Sequence, residues 1–134
     1  MRLLAKDAEK NGWVVIQDTA WPGYEEIPLW IMQGYSTMAD EALGKMPVDP
    51  THVFAQAGVG SMAAAVQAVV ANRHYKREPV FTILEAAQAN CFYRSIQQGS
   101  PFSVKGDLNT IMAGLACGEV NPLACLCPRL CLIG

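Results

Sequence analysis

The residue types that could do chemistry gather where a short apolar run, HVFAQ (52–56), breaks into the loop AGVGS and then into MAAAVQAVVANRH (62–74). Strand, Gly-x-Gly turn and helix, in that order, build an anion cradle in α/β proteins. The glycines let the backbone turn tightly and approach a ligand, and the first N–H groups of the helix point at its negative charge. A phosphate is the usual guest. The same pattern also serves as an ordinary tight connection between strand and helix. The other reactive types are five cysteines, at 91, 117, 125, 127 and 131, and two histidines, at 52 and 74. The tail CLCPRLC offers C-x-C-x3-C with no second knuckle and no histidine nearby in sequence, so no metal centre is expected. His52 and His74 read as a strand-edge residue and a helix-end cation.

A chain of 134 residues suits one domain with a sizeable core. It is 51% hydrophobic and only 16% charged, with a formal net charge of −2. That balance is globular and carries no basic footprint, so neither nucleic acid nor an anionic membrane surface is an expected partner. A low charge fraction also suits a surface meant to be covered by protein. The stretch Pro50–Asn72 has no charged residue, but Pro50, Gly58 and Gly60 interrupt it. It therefore reads as a strand followed by a helix and not as a membrane span. With no export signal in MRLLAKDAEKNG and an odd number of cysteines, a cytoplasmic protein without a disulfide framework is expected.

The elements that must hold the loop follow in order. Met1–Lys10 reads as the last turns of a helix, closed by Asn11-Gly12. WVVIQ (13–17) is β-branched and aromatic and predicts a strand. Leu29, Met32, Tyr35, Met38/Ala39, Ala42/Leu43 and Met46 recur at helical spacing over 28–46, with Pro28 in the first turn. Strand 52–56, a helix from 61 to about 74 and strand 79–85 come next. Helices over 86–98 and 108–117 complete the pattern. Two successive βαβ crossovers predict a partial parallel sheet in an α/β fold. Three strands are few for such a sheet, so either it is a remnant or other strands belong beside it.

Three words are more specific than the loop alone: QDTAWPGYEEIPLWIMQGY (17–35), THVFAQAGVGSMAAAV (51–66) and NTIMAGLACGEVNPL (109–123). Together they resemble the central part of the diaminopropionate ammonia-lyases. These are pyridoxal-phosphate-dependent enzymes of fold type II, grouped with the threonine dehydratases and the tryptophan synthase β subunit. The resemblance implies a cytoplasmic homodimer that converts 2,3-diaminopropionate to pyruvate and ammonia by α,β-elimination. It implies that Gly58, Val59, Gly60, Ser61 and Met62 hold the phosphate of pyridoxal 5'-phosphate. It also implies that Asp18, in DTAW, faces the substrate as an acid/base or amine-binding group; the alternative is an Asx turn. Glu85 either faces the cofactor or caps the next helix. Trp21, Trp30 and Tyr35 are expected in core or lid packing, and Cys117 as a small buried residue.

The departures from the family are equally definite. Its members are much longer, and the Schiff-base lysine that carries the cofactor lies in a word this chain lacks. Lys6, Lys10, Lys45, Lys76 and Lys105 stand in no such context. Residues 1–123 are thus expected to form part of the enzyme's domain, and 124–134 a divergent tail of the kind a frameshift or truncated reading frame leaves. The opening in mid-helix suits the same reading. The expectation is a fragment of the lyase, inactive alone. The alternatives are a non-catalytic phosphate-binding module and a serine or threonine dehydratase-like enzyme.

Overall fold

The two apolar runs that flank the longest helix-forming stretch of alanines meet as neighbouring strands. In the computed structural model, which describes residues 2–125, β1 (His52–Gln56) and β2 (Val80–Leu84) pair in parallel. His52 stands opposite Val80 and Gln56 opposite Leu84. Parallel neighbours need a crossover, and helix α3 (Ser61–Ala71) supplies it. Its face of Ala63, Ala64 and Val70 is buried against Ala55, Ala57 and Phe81. Small side chains there let the helix lie close to the strands. The result is an α/β fold with a two-stranded parallel sheet.

Helix α1 (Arg2–Asn11) precedes this unit, and α2 (Glu26–Lys45) packs along α3. Pro28 and Ala39 of α2 are buried, and Met32 and Leu43 pack against the core. Leu29, Met38 and Met46 of the anticipated stripe are exposed. Arg73, just beyond α3, reaches Asp40 of α2 at 3.3 Å, a surface pair that adds little energy.

Three expected elements take a different form. WVVIQ (13–17) forms no regular element and belongs to no strand of the described sheet. Trp13, Val14 and Ile16 stand 66%, 73% and 77% exposed. A strand is made by its hydrogen-bonding neighbour, and neither β1 nor β2 lies beside this run. A side chain holds it instead: the Tyr24 hydroxyl donates to the Val15 carbonyl at 2.8 Å and accepts the Gln17 N–H at 3.1 Å. Residues 86–98 divide into a 3-10 turn, Ala87–Ala89, and α4 (Cys91–Gln98). Residues 108–117 contain one 3-10 turn, Ala113–Leu115, in place of a helix. Ile111 there is fully exposed, and a short helix without a buried face lacks the packing that would stabilise it.

The short helix α5 (Pro122–Cys125) closes the described chain and packs on α3. Ala124, Val120 and Phe92 complete the core. Residues 126–134 of the tail expected at 124–134, with Cys127 and Cys131, lie outside the described residues; Cys125 ends α5 and is half-buried. Among those described, no helix is long and apolar enough to cross a membrane, and no group of His, Cys, Asp or Glu side chains is arranged to hold a metal ion.

Candidate functional site

The ligand end of the sheet is set by where β1 stops. Ala57 extends the ladder one residue further, its N–H donating to the Leu84 carbonyl at 2.9 Å. The chain then turns through Gly58, Val59 and Gly60 into α3. Gly60 has φ +90°, and a Cβ on it would collide with the Phe92 ring. Gly58 is held for a different reason: a Cβ there would meet the Cys117 Sγ at 2.9 Å and the Gly114 carbonyl at 3.4 Å. The loop is glycine because it is both turned and crowded.

The first bond of this helix start runs from Ala64 N–H to the Gly60 carbonyl, 2.9 Å. The N–H groups of Ser61, Met62 and Ala63 come before it. No side chain caps this end, and the first turn carries no acidic residue. No side chain of α3 itself therefore offsets the positive end of the helix. Val59 N–H is directed at the Cys117 sulfur, a weak acceptor that an anionic oxygen would displace. These features fit the phosphate of a pyridoxal cofactor. The covalent attachment is a separate matter: the five lysines are exposed, and none stands in the word that carries the family's Schiff-base lysine.

Asp18 is brought to this loop through its main chain. Its carbonyl accepts the Ser61 hydroxyl at 2.7 Å and the Asn121 Nδ2 at 2.8 Å. Its carboxylate accepts the Tyr35 hydroxyl at 3.3 Å. Burial and the neighbouring Asp18 charge push the Tyr35 phenol above its usual range, which keeps it a proton donor to Asp18. Tyr35, expected only in packing, thus reaches a candidate catalytic group. Trp21 stacks on Tyr24 with ring centroids 4.1 Å apart, and Trp30 is exposed.

Glu85 has a structural role. Its carboxylate accepts the N–H groups of Phe92 and Tyr93, each at 2.8 Å, and so caps α4. This contact is why that helix starts at Cys91 and not at Ala86. Burial raises the Glu85 carboxyl, partly offset by those two bonds and by Cys91. Burial, followed by the Glu85 charge, pushes the Cys91 thiol to about 12. Cys117, half-buried, is raised by burial and then by the Asp18 charge. Neither thiol is a ready nucleophile at neutral pH. His52 and His74 are exposed and stand apart from the cluster.

The residue sequence reasoning missed is Asn121. Its side chain is fully buried, and beyond Asp18 its Nδ2 meets the Ser61 Oγ at 2.8 Å and the Met32 sulfur at 3.6 Å. Its Oδ1 accepts the N–H groups of Ala20, 3.3 Å, and Leu123, 3.1 Å. Its own N–H donates to the Val59 carbonyl at 2.7 Å. Asn-Pro in the sequence signals only a turn. A cavity of about 440 Å³ lies on the other side of the DTAW loop, against Thr19, Trp21, Phe102 and Val120; its described walls include neither Asp18 nor Gly58–Met62.

A family model described as pyridoxal-phosphate dependent enzyme matches residues 1–129. The diaminopropionate ammonia-lyase of Escherichia coli strain K12 is 51% identical over 126 residues, which are 92% of this chain and 32% of that protein. The solved structure of the holo form of that lyase from Escherichia coli is similar with a TM-score of 0.84 and 48% identity, over 97% of this chain and 33% of that one. Its complex with an aminoacrylate-PLP azomethine reaction intermediate is similar with a TM-score of 0.83 and 47% identity, over the same shares. The chain spans about a third of the length of the relatives it matches.

Proposed function

The chain belongs to the pyridoxal-phosphate-dependent enzyme family, and from that premise we propose that it is the phosphate-holding, substrate-facing part of a diaminopropionate ammonia-lyase. The observation that carries the reading is the uncapped start of α3, crowded by Phe92 and Cys117 and lying against Asp18. The whole enzyme's reaction consumes 2,3-diaminopropionate and one water and releases pyruvate and two ammonia molecules. When bound, the cofactor supplies an electron sink for the carbanion formed at Cα.

This chain's residues do the remaining work. The main-chain N–H groups of Gly58, Val59, Gly60, Ser61 and Met62 hold the phosphate, helped by the dipole of α3. The Ser61 hydroxyl is already donated to Asp18, so Ser61 serves the anion through its N–H. The Asp18 carboxylate takes a proton from the substrate or binds its amino group, and Tyr35 fixes its orientation. In the whole protein we place this site in a cytoplasmic homodimer, as the resemblance to the lyases supports. The chain by itself is expected to have no lyase turnover, because none of its lysines stands in the word that carries the family's Schiff-base lysine.

The test is to incubate the purified chain with diaminopropionate and pyridoxal 5'-phosphate, assay pyruvate, and then reduce with borohydride and map the masses. No pyruvate and no single trapped lysine are expected. Pyruvate that disappears in Asp18→Asn, with one lysine trapped, would show that the chain has a complete site of its own.

A further inference from the structure

A buried asparagine has a fixed capacity: two amide hydrogens and two carbonyl lone pairs. In Asn121 the two lone pairs accept from Ala20 and Leu123, and the two amide hydrogens face the Asp18 carbonyl, the Ser61 oxygen and, at longer range, the Met32 sulfur. The Asp18 carbonyl, the Ser61 hydroxyl and the Asn121 amide form a closed triangle with edges of 2.7, 2.8 and 2.8 Å. The three corners belong to the DTAW loop, the first residue of α3 and the segment before α5. Through its own N–H on the Val59 carbonyl, Asn121 also grips the middle of the glycine loop.

We propose that Asn121 is the positioning residue of this site: it fixes the glycine loop and the Asp18 loop at one separation. It touches neither the phosphate nor the reacting atoms. The inference rests on the phosphate reading above and adds how that cradle is coupled to Asp18. Every bond Asn121 makes in the triangle ends on a main-chain atom or on Ser61, so the Asp18 carboxylate stays available. An aspartate is close to the same shape but puts an acceptor where the amide donates, against the Asp18 carbonyl and the Ser61 oxygen. A buried acceptor facing another acceptor must either move or be protonated.

The experiment is a titration of the full chain with inorganic phosphate, followed by amide NMR and calorimetry, in the natural sequence, Asn121→Asp, Ser61→Ala and the double variant. In the natural sequence the Asn121 side-chain amide and the Ala20 N–H are expected to shift with the same dissociation constant as the amides of Gly58–Met62. Asn121→Asp is expected to weaken phosphate roughly tenfold, the size of one lost buried bond and its orphaned partner. Ser61→Ala should weaken it less, and the double variant no more than Asn121→Asp alone, because both act on one triangle. Near-UV circular dichroism of Trp21 and Tyr24 checks that each variant is folded.

If Asn121→Asp does not fold, the natural chain still decides. Saturable shifts confined to 58–62 would overturn the coupling and leave the phosphate reading intact. An unchanged dissociation constant in folded Asn121→Asp would do the same. No saturable shift anywhere in the natural chain would overturn both.

Discussion

Two regions of similar composition met opposite fates. The run 52–84 and the runs 13–17 and 108–117 are all rich in β-branched or aliphatic residues, yet only the first forms the elements its pattern predicts. β1, α3 and β2 bury one another's apolar faces within 33 residues of chain. Trp13, Val14 and Ile16 of WVVIQ, and Ile111 and Met112 of the later run, keep their side chains in solvent. Local propensity proposes an element, but a neighbour with a complementary face makes it.

The sharpest way to break this contrast is at its hinge. Gly60→Val puts a β-branched residue at φ +90° and drives its Cβ into Phe92. We expect it to cost more than about 3 kcal/mol, from backbone strain and overpacking together, and to abolish phosphate binding. Thermal unfolding and a phosphate titration measure the two effects. A variant that melts like the natural chain would mean the loop has room that the structure does not show.

A paired comparison tests the contrast itself. Phe81 is 5% exposed in β2, and Ile16 is 77% exposed in the run 13–17. Phe81→Ala should lose about 3–5 kcal/mol in denaturant unfolding, as large core truncations do. Ile16→Ala should change stability by less than about 0.5 kcal/mol. Equal losses would mean that the run 13–17 is packed in solution.

The smallest expected effect concerns the Glu85 cap. Burial raises this carboxyl in the folded state, so the folded chain holds the proton more tightly than the unfolded chain does. That contribution to stability is fully present below the ordinary carboxylate pKa and is lost as pH rises through the raised folded value. Glu85→Gln should flatten the decline of melting temperature over that window while leaving the rest of the pH profile unchanged. An unaltered profile would place the titration elsewhere.

The sequence made the strand–loop–helix–strand unit legible because every cue in it agrees: a short apolar run, glycines, an alanine-rich helix and a second β-branched run. Strand β1 starts and stops where predicted, and β2 and α3 differ by a few residues at their ends. The start of α4 was not legible, since it depends on a carboxylate from Glu85 reaching the N–H groups of Phe92 and Tyr93. Asn121 was hidden for a related reason. Its partners are Asp18 and Ser61, 103 and 60 residues away, and no local pattern encodes a bond of that span. The helical spacing of Tyr35 says only which face it lies on, not that Asp18 lies within reach of its hydroxyl.

The central claim is that the start of α3 is built to hold the phosphate of a cofactor whose attachment this chain does not supply. Its most direct test is a pair of phosphorus and fluorescence titrations of the natural chain, one with pyridoxal 5'-phosphate and one with pyridoxal. We expect saturable binding of the phosphorylated compound, reversed by inorganic phosphate, and none of pyridoxal at the same concentrations. Equal binding of the two, or binding that phosphate does not reverse, would contradict it.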